Sequence, residues 1–495
     1  MRRLSTVTYA RFAACGLAAI FATAGSSLAQ TTGTWANTTG GNWSTPTNWS
    51  GAVPDGTSTN GGTGTLGSTI LAGATVNLDI PVNLSFLTFN SPFSYTLAGT
   101  QPLTLNGSQR ITVSQGTHTI GAPLAGINGF DKVGPGTLII NGNSSITGFI
   151  GVSAGSLRIT NPAAIGSVSS DDVLGASSGG SLEFTGSIDL GNRPIGLAGT
   201  PSVGALRSLA GNNRIGGNVF LLQNTNVGVD AGTLTLDGTI IPNGVAFNTD
   251  LRKVGNGTLV ARRFGGNDVF NAPQRPLGLL EVSQGLLRQQ QNPGVGPSSS
   301  TTSRVNALNV LPFAQLDLTN NAMVLDYFGN SPVQDVRNAL RETRIISSTP
   351  NALGVGIGYA EQTALATAFP TTTPNVFFGQ SLDNTSVLLR YTLLGDTNLD
   401  GSVTFDDLVN LARRFNQPGL WTNGDSNYDG QVDFNDLVNI ARNFNRSLLG
   451  TPISDGGGGS FEESWAAALA TVPEPATLSA AILAISALLH RNRRR

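Results

Sequence analysis

The sequence predicts a mainly β protein in which a long stack of repeated strands precedes a small helical domain near the C-terminus. Three observations support this fold class. Residues 30–300 are rich in Gly, Thr, Asn and Ser, with short alternating apolar runs and almost no helical spacing. A glycine-centred motif recurs there, and a loop followed by an amphipathic helix occurs twice in residues 394–447. Charged residues form only 12% of the chain, and this low charge together with the alternation argues against disorder.

The repeats of residues 30–300 have two elements. The first is Lys132–Leu138, which recurs as Lys253–Leu259 and contains the only two lysines of the chain. The second is a Val-x-x-Gly pattern, with copies at Val152–Leu157, Val229–Leu234 and Val282–Leu287 and a weaker copy at Val113–Thr117. Glycine supplies a turn, and the flanking Val and Leu side chains are expected to enter a shared core. Units this small cannot bury their own apolar face, so we expect them to stack as a solenoid.

These repeats resemble the autotransporter-associated β-strand repeat. The resemblance implies a right-handed parallel β-helix, as in surface passenger domains, over residues 30–300. Trp35, Trp43 and Trp49 also look like the beginning of such a passenger, and we interpret them as a hydrophobic cap on the first turn. The alternative is a platform on which sugar rings stack. No membrane barrel of alternating strands follows the repeats, so a self-contained autotransporter is not expected.

Individual strands and one helix can be predicted from local patterns. Thr75–Ile80 and Gly136–Asn141 are short apolar runs bounded by turn residues. Residues 301–393 are predicted to form a β-rich connector that seals the end of the solenoid. Its predicted elements are strands within Leu316–Leu325, Val376–Phe378 and Ser386–Leu394, and a short helix through Val333, Val336 and Leu340 after Pro332.

Two twelve-residue segments, 396–407 and 425–436, have the pattern of an EF-hand calcium loop. Oxygen-bearing side chains stand at loop positions 1, 3, 5, 9 and 12, and glycine stands at position 6, which suits a hard cation that takes six to eight oxygens. The predicted ligands of two Ca²⁺ sites are Asp396, Asn398, Asp400, Ser402, Thr404 and Asp407 in loop 1, and Asp425, Asn427, Asp429, Gln431, Asp433 and Asp436 in loop 2. Position 12 is Asp where Glu is usual, and it still offers two oxygens.

The two loops belong to a duplication. Gly395–Asn416 and Gly424–Asn445 align without a gap and are identical at 15 of 22 positions. A single match could be an Asp/Asn-rich turn, whereas a duplicated match favours two cation loops. After each loop, apolar residues recur with the spacing of one helix face, and these are Leu408, Leu411 and Phe415 in the first unit and Leu437, Ile440 and Phe444 in the second.

A duplicated loop-helix unit without an entering helix resembles a type I dockerin, and the resemblance covers residues 394–447. It implies a small all-α, calcium-binding domain whose helices bind a cohesin-like module or another surface protein. At the expected contact positions this chain has Phe405, Asp406, Phe434 and Asn435, where the best-known cellulosomal dockerins carry small hydroxyl residues. The identity of the partner is therefore left open. The alternative is a calcium-stapled module without a partner.

The ends of the chain predict export. Residues 1–29 have the basic, apolar and small-residue regions of a secretory signal peptide, and they include the only cysteine, Cys15. Residues 472–495 combine Pro-Glu-Pro, an apolar run and a basic tail, which is similar to a PEP-CTERM sorting signal. This resemblance implies transient anchoring in the inner membrane, cleavage, and delivery to the cell surface or extracellular matrix; a marginal tail anchor is the alternative. Residues 448–471, with Gly456–Gly459, are predicted to be a flexible linker.

Catalytic residues are scarce in the sequence. The histidines are His118, expected to face solvent in a Thr-His-Thr alternation, and His490 in the tail. They offer no catalytic triad and no zinc site. Asp171-Asp172 and Arg262-Arg263 are the least implausible acid and base pairs, although a loop turn and a solvent-facing arginine pair explain them better. Lys and Arg (28) balance Asp and Glu (30) to a net charge of −2, which argues against nucleic-acid binding.

Two functional hypotheses follow. The first is a non-catalytic exported surface or extracellular-matrix protein, in which a β-solenoid spacer or adhesin carries a calcium-dependent docking module for assembly with proteins or with extracellular polysaccharide. The second is a β-helix polysaccharide lyase or hydrolase, or a carbohydrate-binding protein, that its dockerin delivers.

Overall fold

A computed structural model describes residues 31–56, 60–166, 172–200, 202–242, 249–265, 276–349, 354–365, 376–449 and 460–472. The predicted signal peptide and nearly all of the predicted sorting tail lie outside these residues. The described chain is mainly β. It forms a parallel β-solenoid of about ten turns and carries a few helices toward the C-terminus.

The strands of the first half are β1 Thr32–Trp35, β2 Gly40–Asn42, β3 Trp49–Gly51, β4 Gly62–Leu66, β5 Ala74–Asn77, β6 Val82–Asn90, β7 Tyr95–Ala98, β8 Leu103–Gln115, β9 Thr117–Ile120, β10 Leu124–Ala125, β11 Phe130–Val133, β12 Thr137–Ile140, β13 Ile150–Ile159, β14 Leu174–Thr185, β15 Ile195–Gly199, β16 Leu206–Ala210, β17 Asn212–Ile215 and β18 Val219–Val229. The strands that follow are β19 Thr233–Leu236, β20 Ile240–Pro242, β21 Leu251–Val254, β22 Thr258–Ala261, β23 Leu277–Val282, β24 Gly285–Gln289, β25 Ser303–Val310, β26 Ala314–Asp317, β27 Ala322–Asp326, β28 Ile345–Ile346, β29 Val355–Glu361, β30 Val376–Phe377, β31 Gln380–Ser381 and β32 Ser386–Leu393.

The solenoid forms because each turn lays its strands in parallel on those of the turn before. Ile120, Ile140 and Ile159 are paired in register in three successive turns, and all three side chains are buried. Buried and partly exposed residues alternate along strands such as β12, which is the two-residue period of a strand that covers a core on one face. The strands predicted at Thr75–Ile80 and Gly136–Asn141 are present as β5 and β12.

The two repeat lysines point into the solenoid. The Lys132 ammonium lies within hydrogen-bond distance of the carbonyl oxygens of Gly134 (2.6 Å), Gly136 and Ala154 (2.8 Å). Ala154 belongs to the next turn of the stack, where Lys132 pairs with Val152. Gly155 has a φ of +64°, and a Cβ there would lie 2.6 Å from the Lys132 ammonium. The glycine of the second repeat element therefore makes room for the lysine of the first.

Lys253 repeats this arrangement. Its ammonium donates to the carbonyl oxygens of Gly255, Gly257 (2.6 Å) and Gln284 (2.9 Å), and Gln284 again lies in the following turn. Both lysine side chains are fully buried. Burial lowers the pKa of each lysine to about 8, so both remain protonated at neutral pH. We call these two sites the lysine clamps.

The prediction that His118 faces solvent is wrong. Its side chain is fully buried and stacks on the ring of Phe89, with the ring centroids 4.7 Å apart. Nδ1 accepts a hydrogen bond from the Tyr95 backbone N–H (3.0 Å), and Nε2 donates to the Gln115 carbonyl oxygen (3.0 Å). The Thr-His-Thr alternation has the predicted period, but its inward face carries the histidine. The ring is tolerated there because both nitrogens have partners.

The three tryptophans close the N-terminal end, as predicted for a cap. The Trp49 ring packs edge-on against both Trp35 and Trp43, with ring centroids 5.0 and 4.6 Å apart. None of the three is more than 5% exposed, so their ring faces are not open to a sugar. The antiparallel pairing of β1 with β3 brings Trp35 opposite Trp49.

Parallel pairing continues beyond residue 300. β25 pairs with β23, and β26 pairs with β24 and β28. The direction of pairing then changes, because β32 runs antiparallel to both β27 and β29. Helix α1 (Val333–Arg341) follows Pro332, and its buried face is formed by Val336, Ala339 and Leu340. We call α1, β29 and β32 together the C-terminal cap.

The duplicated unit folds as two loops, each followed by one helix. Helix α2 spans Phe405–Ala412 and helix α3 spans Phe434–Asn443. The unit is not purely helical, because β33 (Ser402–Val403) pairs with β36 (Arg446–Ser447), and β34 (Gln417–Pro418) pairs with β35 (Gln431–Val432). These short antiparallel pairs tie each half to the other, which the local sequence pattern does not reveal.

A further helix lies within the predicted flexible linker. Helix α4 (Phe461–Ala470) begins at a capping box between Ser460 and Glu463. Its Phe461 ring packs on Phe444, and its Trp465 ring packs on Phe415, with centroid distances of 5.3 and 5.4 Å. Phe415 and Phe444 are equivalent residues of the duplication, so one helix joins both halves of the unit. Among the described residues, no helix has the length and apolar character needed to cross a membrane.

Candidate cation-binding loops

Loop 1 (396–407) is wrapped around a buried aspartate. The Asp396 side chain is fully buried. Its Oδ1 accepts a hydrogen bond from the Asp400 backbone N–H (3.1 Å), and its Oδ2 accepts from the Gly401 N–H (2.9 Å) and from the Thr392 hydroxyl. The side chains of Asn398 and Asp400 accept in turn from N–H groups two residues ahead. The predicted ligands at positions 1, 3 and 5 therefore line one tight turn.

Loop 2 (425–436) repeats this arrangement with one difference. Asp425 is also fully buried, and its Oδ2 accepts from the Gly430 N–H (2.9 Å). Its Oδ1 is buried without a hydrogen-bond partner. Asn427 and Asp429 accept from the N–H groups of Asp429 and Gln431. An unpaired buried carboxylate oxygen is costly, and the one in loop 2 belongs to the first of the predicted cation ligands.

The residues at positions 9 and 12 connect each loop to its helix. Asp407 Oδ1 accepts from the Thr397 backbone and hydroxyl (both 2.8 Å), while its Oδ2 accepts from the Thr404 N–H (2.8 Å). Asp436 makes the equivalent bonds to Ser426 and to the Asp433 N–H. Thr404 and Asp433 are the N-caps of α2 and α3. Position 12 thus fixes the loop to the helix start, and Ser402 and Gln431 lie nearer the surface.

Glycine is required at position 6 of both loops. Gly401 and Gly430 have φ values of +94° and +91°, a conformation that glycine adopts without strain. A Cβ at either position would also collide with an arginine guanidinium of the C-terminal cap.

Burial and mutual repulsion raise the pKa values of the loop carboxylates. Burial, and then the charge of Asp407, raises the pKa of Asp396. Burial likewise raises the pKa of Asp407. In loop 2, burial and the neighbouring Asp436 raise the pKa of Asp425 to about 7. Each loop therefore holds several carboxylates in a buried environment that disfavours their ionised form.

The donor set fits a hard divalent cation in its chemistry, since all twelve predicted residues offer side-chain oxygens. Across the described residues, however, no three Asp, Glu, His or Cys side chains are grouped so as to hold a metal ion. The side-chain oxygens of positions 1, 3, 5 and 12 are largely turned to backbone N–H groups. The unpartnered Oδ1 of Asp425 is the atom that best fits a bound cation.

The unit is docked on the C-terminal cap. The Tyr428 hydroxyl exchanges hydrogen bonds with the backbone of Ile357 in β29 (3.1 Å each). The Trp421 ring stacks on Tyr428 and donates from Nε1 to the Asp396 carbonyl oxygen (2.5 Å). The Asn443 side chain donates to the carbonyl oxygens of Gly354 and Leu394 (2.9 Å each). The loops thus rest on the end of the solenoid.

Two arginines of the cap reach the loops, and sequence reasoning missed both. Arg390 on β32 donates from Nη1 to the Leu399 carbonyl oxygen and lies 5.1 Å over the Phe378 ring. Arg337 on α1 lies 3.5 Å from Asp425 Oδ2. No local signal identifies them, because each belongs to an element that precedes the loop it contacts and reaches it only through the tertiary fold.

Of the four candidate acid and base residues, Asp172, Arg262 and Arg263 lie in the part of the chain that the structure describes. Asp172 is buried and accepts from the Gly148 N–H in the neighbouring turn (2.7 Å), while Asp171 lies outside the described residues. Arg262 is exposed, but Arg263 is half-buried and reaches the Ser299 carbonyl oxygen. The prediction that both arginines face solvent is therefore wrong for Arg263, whose side chain lies along the stack instead.

Part of the chain is similar to a known surface protein. The similarity is to the adhesin BmaC autotransporter of Brucella suis biovar 1 (strain 1330), with 33% identity over 119 residues. It covers 24% of this chain but only 3% of that protein. No protein-family model matches the chain. No solved structure matches it either. The similarity and the solenoid both fit the autotransporter-type repeats that the sequence predicts.

Proposed function

We propose that this protein is a non-catalytic exported surface or extracellular-matrix protein. In this proposal the β-solenoid is a spacer or adhesin, and the duplicated loop-helix unit is a calcium-dependent docking module for a cohesin-like or other surface protein. The observation that carries the proposal is the joining of a parallel solenoid of autotransporter type to two equivalent loop-helix units. A solenoid provides length and an extended surface, and a module at its end provides attachment.

Calcium binding is supported by the loops themselves. They concentrate buried carboxylates, raise their pKa values and leave Asp425 Oδ1 unpaired. A divalent cation would neutralise this charge and accept those oxygens as ligands. Millimolar extracellular calcium would fill even sites with a Kd of about 10⁻⁴–10⁻³ M, so the loops would act as constitutive folding elements at the cell surface.

An exposed aromatic residue supports docking to a protein. Phe434, at position 10 of loop 2, is 67% exposed, and Asn435 follows it. An aromatic ring in that position is a suitable anchor for a partner. Polysaccharide at the cell surface remains a further proposed contact, and the predicted tail would anchor the protein transiently in the inner membrane.

Calorimetric titration of the full chain with calcium, followed by capture from the surface fraction of the producing cell, tests the proposal. We expect calcium binding and a captured protein that EDTA releases. Phe434→Ser should lose the capture, whereas Phe313→Ser should keep it, because Phe313 is a still more exposed phenylalanine that lies on the solenoid and not on the module. Absence of calcium binding, or equal capture by both variants, would contradict the docking role. Reproducible cleavage of a uronic-acid or neutral glycan by the wild-type chain would contradict the non-catalytic role.

A further inference from the structure

The two loops are nearly identical in sequence, yet the cap presents a different arginine contact to each. Below loop 1, Arg390 donates to the Leu399 carbonyl oxygen and lies over the Phe378 ring, and its charge also acts on Asp396 and Asp400. Below loop 2, Arg337 faces a carboxylate, and its Nε lies 3.5 Å from Asp425 Oδ2. Asp425 is position 1 of its loop, the residue whose other oxygen is buried and unpaired.

The position of Arg337 places its positive charge where it would repel a cation bound in loop 2. Its guanidinium lies beneath the turn of the loop, so close that a Cβ on Gly430 would be 2.1 Å from Nη2. Its side chain is only 15% exposed, so water screens its charge poorly. A divalent cation bound to Asp425 would share that carboxylate with the guanidinium and would be repelled by it.

We propose that Arg337 is an affinity-determining residue of loop 2. Its guanidinium is a built-in counter-charge that stabilises Asp425 when the loop holds no metal ion, and it competes with calcium when calcium binds. Arg337 is in ion-pair contact with the position-1 carboxylate of loop 2, whereas Arg390 acts on Asp396 of loop 1 without such a contact. Loop 2 therefore binds calcium more weakly than loop 1 despite the same donor pattern. This inference rests on the calcium binding of the proposed function.

A structural coupling follows from the position of Arg337. It lies on α1, and α1 packs on the end of the solenoid through Val336, Ala339 and Leu340. Cation binding in loop 2 weakens the ion pair that joins α1 to the loop, whereas loop 1 fills without affecting α1. Occupancy of loop 2 is thereby linked to the contact between the module and the solenoid.

Calorimetric titration of chelator-stripped full chain with calcium tests the inference. Wild type should bind in two steps of unequal affinity, and Asp425→Asn should remove the weaker one. Arg337→Gln should tighten that weaker step about tenfold, the effect of removing one poorly screened positive charge near the ion. Arg337→Lys keeps the charge and should resemble wild type. Arg390→Gln, the matched variant below loop 1, should change the weaker step by less than about threefold, because the charge of Arg390 acts on Asp396 and Asp400 of the other loop.

The outcomes separate this inference from the proposed function. If calcium binds but Arg337→Gln leaves the weaker step unchanged, or if Asp396→Asn removes the weaker step instead, the role of Arg337 is wrong and calcium binding stands. If neither wild type nor Arg337→Gln binds calcium, both are wrong. Equal changes in Arg337→Gln and Arg337→Lys would point to altered packing of α1 and would overturn the charge argument.

Discussion

The lysine clamps and the calcium-type loops both stabilise buried charges by hydrogen bonds to the backbone, but the buried charge is positive in the clamps and negative in the loops. In each clamp, a buried ammonium of the chain gathers three carbonyl oxygens from two successive turns. In each loop, buried carboxylates gather backbone N–H groups from a single turn. The clamp contains its own cation and is complete, whereas the loop accumulates negative charge that only partly finds a partner. The solenoid should therefore be stable without added ions, and the module should respond to them.

The largest expected effect is on the clamps. Lys132→Met would remove the buried ammonium that donates to the carbonyl oxygens of Gly134, Gly136 and Ala154, and we expect a loss of about 3 kcal/mol in the free energy of unfolding of the surrounding turns. Hydrogen–deuterium exchange of β11–β13 in the full chain, with and without calcium, measures this. Lys253→Met is the matched variant and should accelerate exchange in β21–β24 instead. If the change in exchange caused by either substitution depended on calcium, the solenoid and the module would not differ in their response to ions.

A smaller effect is expected from calcium on the module. If calcium is present at about 100 times its Kd, it should stabilise α2 and α3 by about 2.7 kcal/mol. Exchange of their backbone amides should slow accordingly, while amides of β12 and β13 serve as the internal control and should not change. Asp396→Asn combined with Asp425→Asn should abolish the response. Slower exchange in the solenoid strands to the same extent would mean that the two regions form one calcium-dependent unit.

The smallest effect concerns His118, a buried neutral group, in contrast to the positively charged clamps and the negatively charged loops. Burial lowers its pKa in the folded state, and protonation of Nδ1 would direct a proton at the Tyr95 N–H. The unfolded chain binds the proton more readily, so stability is retained above the unfolded pKa of about 6.5 and falls as the pH drops below it. The slope cannot exceed about 1.4 kcal/mol per pH unit for one proton.

Urea unfolding of wild type and His118→Gln at pH 7.5, 6.5 and 5.5 measures the His118 effect. The difference in stability between the two proteins should change with pH, and using the difference cancels the titration of the loop carboxylates. A constant difference would show that His118 contributes only packing.

Much of the architecture could be predicted from short patterns. The strands β5 and β12, helix α1 after Pro332, the tryptophan cap, and one helix after each loop all appear as the sequence predicts. These features depend on turn residues, on a two-residue or helical period, and on glycine where φ is positive, all of which act within about ten residues. The sequence pattern does not predict helix α4, because Gly456–Gly459 are typical of a flexible linker, although Ser460 and Glu463 carry a capping-box signal.

The candidate site was predicted only in its local part. Sequence identifies which oxygens belong to each loop, since their spacing is fixed by one turn of the chain. It does not identify Arg337 or Arg390, which reach the loops from elements of the cap, nor the antiparallel pair β33–β36 that ties the two halves together. These contacts depend on how the cap closes the solenoid.

The sequence by itself determined the repeat, the turns and the twin loops, because backbone conformation and side-chain period are set by neighbouring residues. Only the tertiary structure decided what enters the core. Lys132, Lys253 and His118 are polar and look like surface residues in any local window, yet stacking one turn on the next supplies each with buried partners. A polar group can be buried when its hydrogen bonds are met, and here those partners come from other turns or from the opposite side of the same turn.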